Sequence, residues 1–261
     1  MRRLVGSFYR AIDRTIGEIL NPAVLAELEN RVTANQSVAM VTVLDQPDAG
    51  QALVADSGLL AGGFTSDGLR EVVLISAARY LADLRSGRER VRVDGQSYDV
   101  FFDVYPPPPQ LIIIGAVHVA VHLIALARQL DYRTVVIDPR TAFATEERFA
   151  AADELLREWP AQALSKLAIT DNTYFALLSH DLKLDLPALE LALGSPARYI
   201  GALGSKKTHA KRVAALEETG FGKDDIARIR NPIGLDLGGR TAEEIALAVM
   251  AEIVAARHGR V

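Results

Sequence analysis

Residues 106–140 limit the fold more than any other stretch. Four consecutive prolines, Pro106 to Pro109, can neither donate to a strand ladder nor continue a helix, so they separate the stretch before them from the stretch after. Directly after them, LIIIG at 111–115 is a continuous apolar run ending in glycine. A helical stretch then reaches to about Asp131, and a second apolar run, TVVIDPR, occupies 134–140. Strand, helix, strand in that order is a βαβ opening, and runs that are apolar throughout are strands covered on both faces. Further runs at Tyr174–Leu178 and Arg198–Gly201 alternate with helical segments at Leu182–Leu193 and Ser205–Glu218, the pattern of a doubly wound parallel sheet. Thr241-Ala242-Glu243-Glu244 has the form of a capping box and opens a last amphipathic helix with Ile245, Val249 and Ile253 on one face. The domains are therefore placed at 1–105 and 106–261.

The first half reads as a small α+β unit. Val5–Leu20 and Pro22–Gln36 show helical spacing, Ser37–Leu44 reads as a buried strand, and Ser66–Arg85 returns to a helix. Arg90–Val93 and Ser97–Val104 flank Asp94-Gly95, a pair suited to a tight hairpin. The stretch Leu59–Gly68 resembles a flexible loop before a helix that Ser66 or Asp67 could cap. So small a sheet would benefit from cover, which makes a homodimer an expectation. Arg10, Asp13, Arg14 and Glu18 interrupt the apolar positions near the start, so neither a signal-peptide core nor a membrane span fits, and a cytoplasmic protein is expected. A net charge of −4 argues against general nucleic-acid binding. The absence of cysteine from these 261 residues excludes disulfides, thiolate metal sites and cysteine nucleophiles within them.

In doubly wound sheets ligands sit beyond the carboxyl ends of the strands. Four such ends matter: Gly115-Ala116-Val117-His118, Asp138-Pro139-Arg140, Ser179-His180-Asp181 and Gly201 through Lys206. The first reads G-A-V-H-V-A against the dinucleotide fingerprint, with Val117 in place of the middle glycine, where a β-branched side chain should obstruct close approach of pyrophosphate. Asp138, 23 residues after Gly115, holds the place from which an acid binds a ribose hydroxyl. His118 and His122 are four apart on one helix and could share a metal, but no third ligand is evident, and no metal is assigned. His180 and Asp181 either reach the crevice or merely turn the chain into the next helix. No Ser/His/Asp triad and no paired carboxylates can be defended, so no catalytic residue is assigned.

YIGALGSKKTH at 199–209 adds an electrostatic conflict. Lys206, Lys207, His209, Lys211 and Arg212 crowd cations onto a helix start, where the free N–H groups and the macrodipole favour anions. A glycine turn there suggests a phosphate as the missing anion, unless the stretch is a solvated basic helix face with Ser205 a simple N-cap. The glycine-rich Asn231–Gly239 connection either folds over the same crevice or is a surface loop.

Taken together, LIIIGAVHVA (111–120), VVIDPR (135–140), FATEERF (143–149), SHDLKLDLPALELAL (179–193), YIGALGSKKTHAKR (199–212) and NPIGLDLGGRTAEEIALAVMAEIVAARHG (231–259) resemble the Rossmann domain of the XdhC/CoxI family, the xanthine dehydrogenase accessory proteins. The resemblance implies a Rossmann-like C-terminal domain in a helper that binds the molybdenum cofactor, molybdopterin or its dinucleotide form, and assists its sulfuration or insertion into a molybdenum hydroxylase apo-enzyme. It also implies that Gly115, Ala116, His118, Asp138, Arg140, His180 and Asp181 line the crevice, with Gly201, Gly204, Ser205 and Lys206 on phosphate. Two departures stand out. The family usually has GAGHVA where this chain has Val117, and its N-terminal GGC motif corresponds here to Gly62-Gly63-Phe64, which makes a cysteine-bearing partner subunit one expectation. Two other readings stay open: an NAD(P)- or flavin-binding oxidoreductase, and a nucleotide-binding scaffold without catalysis.

Overall fold

The computed structural model describes residues 21–34, 36–45, 49–56 and 58–261. The helix expected over Val5–Leu20 lies outside them. The chain divides into two compact units with the boundary between Pro107 and Pro108.

In the first unit, α1 (Pro22–Thr33) starts with proline in its first turn and Asn21 as its cap. Strands β1 (Val38–Val43), β2 (Ala52–Ala55) and β3 (Leu59–Gly62) follow, then α2 (Asp67–Ala82), β4 (Gly87–Val93) and β5 (Gln96–Tyr105). The sheet is antiparallel in the order β3-β2-β1-β5-β4. Asp94 and Gly95 turn between β4 and β5 with φ of +51° and +85°, the two positive angles that a two-residue hairpin turn requires. Ser66 accepts from the Leu69 amide and so caps α2, which packs Leu69, Val73, Ala77 and Tyr80 onto the sheet. Tyr80 stacks on Phe102 with centroids 4.5 Å apart. The sheet is larger than the sequence pattern suggests, because Leu59–Gly62 is a strand rather than a loop. That strand is short, pairs with β2 through a bulge at Val54/Ala55, and has no fully buried residue, so its alternation is weak.

The second unit runs β6 (Gln110–Ile114), α3 (His118–Gln129), β7 (Arg133–Ile137), α4 (Glu146–Phe149), β8 (Glu154–Leu156), α5 (Pro160–Leu164), β9 (Thr173–Leu177), α6 (Leu182–Leu193), β10 (Tyr199–Ala202), α7 (Lys206–Glu218), α8 (Lys223–Ile226), β11 (Ile229–Arg230) and α9 (Ala242–Arg257). All its strands are parallel, in the order β11-β10-β9-β6-β7-β8. Numbered within the unit this is the 3-2-1-4-5-6 order of the Rossmann fold, in which the strand order reverses between β6 and β9. Alternation along β6 sorts the core: Leu111 and Ile113 join α3 and α9 on one face, while Ile112 and Ile114 join α6 and the inner side of α7 on the other. Every buried strand expected from an apolar run is present. The short β8 and β11, at the two edges, gave no such signal. No helix among the described residues is long and apolar enough to cross a membrane.

Candidate functional site

The strand order reverses between β6 and β9, and in such sheets the ligand crevice lies beyond the carboxyl ends of the strands at that switch. Gly115 leaves β6 at φ +105°, and a Cβ there would lie 3.0 Å from the Ser179 amide nitrogen at the end of β9. Only glycine allows the two strand ends to come so close. The Ala116 amide then donates to Asp138 Oδ2 at 2.8 Å, tying the turn after β6 to the end of β7. Val117 takes the N-cap position of α3 with ordinary extended angles and partly packs against the core of α3 and α9, so the turn forms without a glycine there. It offers no capping side chain, which leaves the first N–H groups of α3 available to an outside acceptor.

Asp138 is wholly buried and its acceptor positions are taken. Besides Ala116 it receives the Arg140 amide at 2.9 Å and the Arg140 guanidinium through Nε at 2.9 Å and Nη2 at 2.7 Å. Burial pushes its pKa up, but the guanidinium and the two amides outweigh this and hold it below the usual carboxylate range. A ribose hydroxyl would therefore find no free oxygen here, which corrects the ribose-binding expectation for Asp138. Its work is to fix Arg140, whose half-exposed guanidinium lies 4.6 Å from the centre of the Phe143 ring and feels the charge of Asp181. Arg140 and Asp181 thus share the mouth of the crevice, while Asp181 also caps α6 by accepting from the Lys183 amide at 2.9 Å. His180, between Ser179 and Asp181, is exposed.

On the other side of the switch the sequence expectation changes more. Gly201 is a buried residue of β10, and a Cβ on it would strike Ile233 and the Tyr199 hydroxyl at 2.5 Å, so packing explains the glycine and it is not part of the turn. Arg212, counted by sequence among the cations asking for an anion, is fully buried against fully buried Asp185. Asp185 also takes the Ser179 hydroxyl at 2.6 Å. Burial pushes the Asp185 pKa up, opposed by Ser179 and Arg212. His209 is pushed down by burial and then by Arg212, so it too is a poor cation. Exposed Lys206, Lys207 and Lys211 remain, and none is ion-paired among the described residues. Ser205 caps α7 by accepting from the Thr208 amide at 3.2 Å. Beneath the turn, a Cβ on Gly204 would lie 3.0 Å from Arg212 Nη1, which is buried with no hydrogen-bond partner.

The Asn231–Gly239 connection is stitched down at its start. The Asn231 side-chain amide and the Ile233 amide donate to the Ala202 carbonyl, and the Gly234 amide donates to Glu252 of α9, which also binds the buried Tyr199 hydroxyl. One group had no sequence signal: Glu243 of α9 places its Oε1 3.3 Å from His122 Nε2. In the first unit, a cleft of about 300 Å³ runs past Asn21, Gly50, Gln51, Gly62 and Gly63, with no titratable side chain in its lining among the described residues. Phe64, where the XdhC/CoxI cysteine would stand, is buried in the core of that unit.

Strand order, the glycine turn at the switch and the uncapped helix after it define the class of the second unit, a Rossmann domain. Its family follows from comparison: residues 111–253 match the model of the XdhC Rossmann domain, and the chain belongs to that family. It is 31% identical over 162 residues to a probable xanthine dehydrogenase subunit of Bacillus subtilis, covering 62% of this chain and 47% of that protein. It is 38% identical over 99 residues to the molybdenum cofactor insertion chaperone PaoD of Escherichia coli, covering 38% of this chain and 30% of the chaperone. The chain thus spans less than half the length of these relatives. The crystal structure of a xanthine dehydrogenase from Bacillus halodurans superposes with a TM-score of 0.53 at 18% identity, covering 92% of this chain and 97% of that one, a likeness of fold.

Proposed function

We propose that this protein is a maturation factor that binds the molybdenum cofactor through its phosphate-bearing end and passes it to a molybdenum hydroxylase. The observation that carries this reading is the pair of helix starts at the carboxyl edge of one parallel sheet, α3 without a side-chain cap and α7 with unpaired Lys206 and Lys207, in a chain of the XdhC family. The residues fit such a ligand. The α3 amides around His118 and the Gly204–Lys206 turn supply donors and positive charge for phosphate. Arg140, held flat by Asp138 and Phe143, offers a planar face and a charge to the pterin or nucleotide portion.

The molybdenum centre supplies the redox chemistry once it reaches the hydroxylase; these side chains bind, orient and shield. The neighbouring serine, Ser179, gives its hydroxyl to the buried Asp185 carboxylate, which Arg212 already engages, and no histidine is hydrogen-bonded to a serine or threonine hydroxyl among the described residues, which favours binding over turnover. With no cysteine in these residues, a persulfide for sulfuration would have to come from a partner. The Rossmann strand order also keeps a dinucleotide reading in play, but the saturated Asp138 weighs against NAD in its usual pose. Cofactor released from a donor enzyme under anaerobic conditions should co-elute with the protein on gel filtration, followed by pterin fluorescence. Elution of all pterin at the small-molecule volume, with NAD, NADP, FAD and FMN silent in calorimetry, would leave the scaffold reading.

A further inference from the structure

Three groups from two helices converge at the start of α3. His118, its first residue, and His122, one turn later, bring their Nε2 atoms to 3.4 Å, with ring planes at 89° and centroids 4.9 Å apart. Glu243, in the first turn of α9, sets Oε1 3.3 Å from the same His122 nitrogen, and the ligand atoms of all three lie within 4.8 Å of one another. We propose that His118, His122 and Glu243 form a binding site for a divalent metal of the zinc class.

Tetrahedral geometry supports the site. Metal–nitrogen bonds of about 2.0–2.1 Å place neighbouring ligand atoms about 3.3–3.4 Å apart, which the two measured edges already match. Hydrogen bonding alone serves the cluster poorly. If His122 Nε2 carries the proton, it cannot point well at both His118 and Glu243; if it carries the lone pair, the carboxylate faces that lone pair. If both rings are charged, two N–H groups face each other. A cation among the three atoms satisfies all three lone pairs at once. Two imidazoles and one carboxylate suit zinc, cobalt or nickel better than magnesium, which prefers oxygen alone, and they leave a fourth position for water or a ligand oxygen.

The site stands on a rigid base. Ala120, Leu123 and Ala127 of α3 share one core with Ala246, Val249, Met250 and Ile253 of α9. Thr241 and Glu244 complete the cap of α9, with Glu244 folded back onto the amides of Arg240 and Thr241 at 2.8 and 3.0 Å. Glu243 is thereby the acid left to face the histidines. Two helix N-termini nearby oppose a cation, by an effect small beside three coordinate bonds.

The test is calorimetric titration of the full, chelator-treated chain with zinc chloride, without cofactor, so that its outcome is independent of the cofactor reading. One saturable equivalent is expected. H118A/H122A should lose it, and E243Q, which removes a ligand, should weaken it by at least the roughly 10–100-fold typical of losing an outer partner. H258A should bind like the unaltered chain. Cobalt should give the visible bands of a tetrahedral site in the unaltered chain and not in H118A/H122A. All three side chains are at least partly exposed, so far-ultraviolet dichroism without metal should be unchanged. If the double variant fails that check, H122N and E243Q carry the comparison. No saturable equivalent, or binding that survives H118A/H122A or H122N, overturns the site.

Discussion

Two carboxylate–arginine pairs stand on either side of the sheet's switch point, and they do opposite things. Asp138 and Arg140, at the end of β7, join a wholly buried acid to a half-exposed guanidinium that looks into the crevice. Asp185 and Arg212, behind β9 and β10, are both sealed from solvent, with Arg212 also reaching the Leu203 carbonyl at 2.8 Å. The first pair presents a charge and the second consumes one. An arginine near a strand end is thus a ligand contact or a pillar according to which face of its guanidinium the fold leaves open.

Removing Arg212 should make the largest difference. Arg212→Ala leaves Asp185 buried beside only Ser179, and breaking such a pair from one side costs about 3–5 kcal/mol. Urea unfolding should show that loss, with ligand retention falling only as the fold does. A variant of unchanged stability would mean that water already reaches Asp185 and that the two pairs are alike. Next comes Gly115→Ala, which forces a side chain into a left-handed conformation 3.0 Å from the Ser179 nitrogen. Strain of this kind costs about 1–3 kcal/mol, and because it separates the two strand ends, ligand retention should fall as well.

This contrast was only half legible in the sequence. LIIIG, TVVID and the Thr241–Glu244 cap announced their elements because periodicity and capping are local. Arg212 looked like one of five cations on a helix start because its partner, Asp185, lies a whole βα unit away. The same holds for Glu243, which no spacing links to the HVAVH histidines until α9 packs on α3. Gly201 misled for a related reason. A glycine absent a side chain because Tyr199 and Ile233 fill its place looks, in one dimension, like a glycine that cradles phosphate.

Arg140→Ala should separate binding from folding. It strips two charged hydrogen bonds from Asp138 but leaves the amides of residues 116 and 140, so about 1–3 kcal/mol of stability is at stake. The cofactor should be retained far less well, and Arg140→Lys, which keeps the charge without the planar fork, should recover only part. Carboxyl NMR titration sharpens the same comparison, with Asp138 expected below the ordinary aspartate range and Asp185 above it. An acid whose folded pKa is depressed contributes stability above its unfolded value of about 4, and loses it as pH falls through the folded pKa. Asp138 should therefore contribute to acid unfolding below about pH 4. Asp99, lowered to about 2 first by Arg90 and then by Arg88, does the same for the first unit. An Asp138 that titrates like an exposed aspartate would show that Arg140 is not held as described.

Lys206→Ala should have the smallest effect on stability, and its sign is the informative part. An exposed lysine in the first turn of α7 opposes the helix dipole, a penalty of about 0.3–1 kcal/mol for a charge at a helix end. Ser205 still supplies the cap, so nothing structural is lost with the ammonium group. The variant should be as stable as the unaltered chain or slightly more so in urea, and yet retain phosphate-bearing cofactor less well, increasingly so at low salt where the charge is least screened. A residue that weakens the empty protein and strengthens the loaded one is placed for its ligand. If Lys206→Ala loses stability and leaves retention intact, the lysine belongs with Arg212, as part of the frame, and the phosphate must rest on the uncapped start of α3 alone.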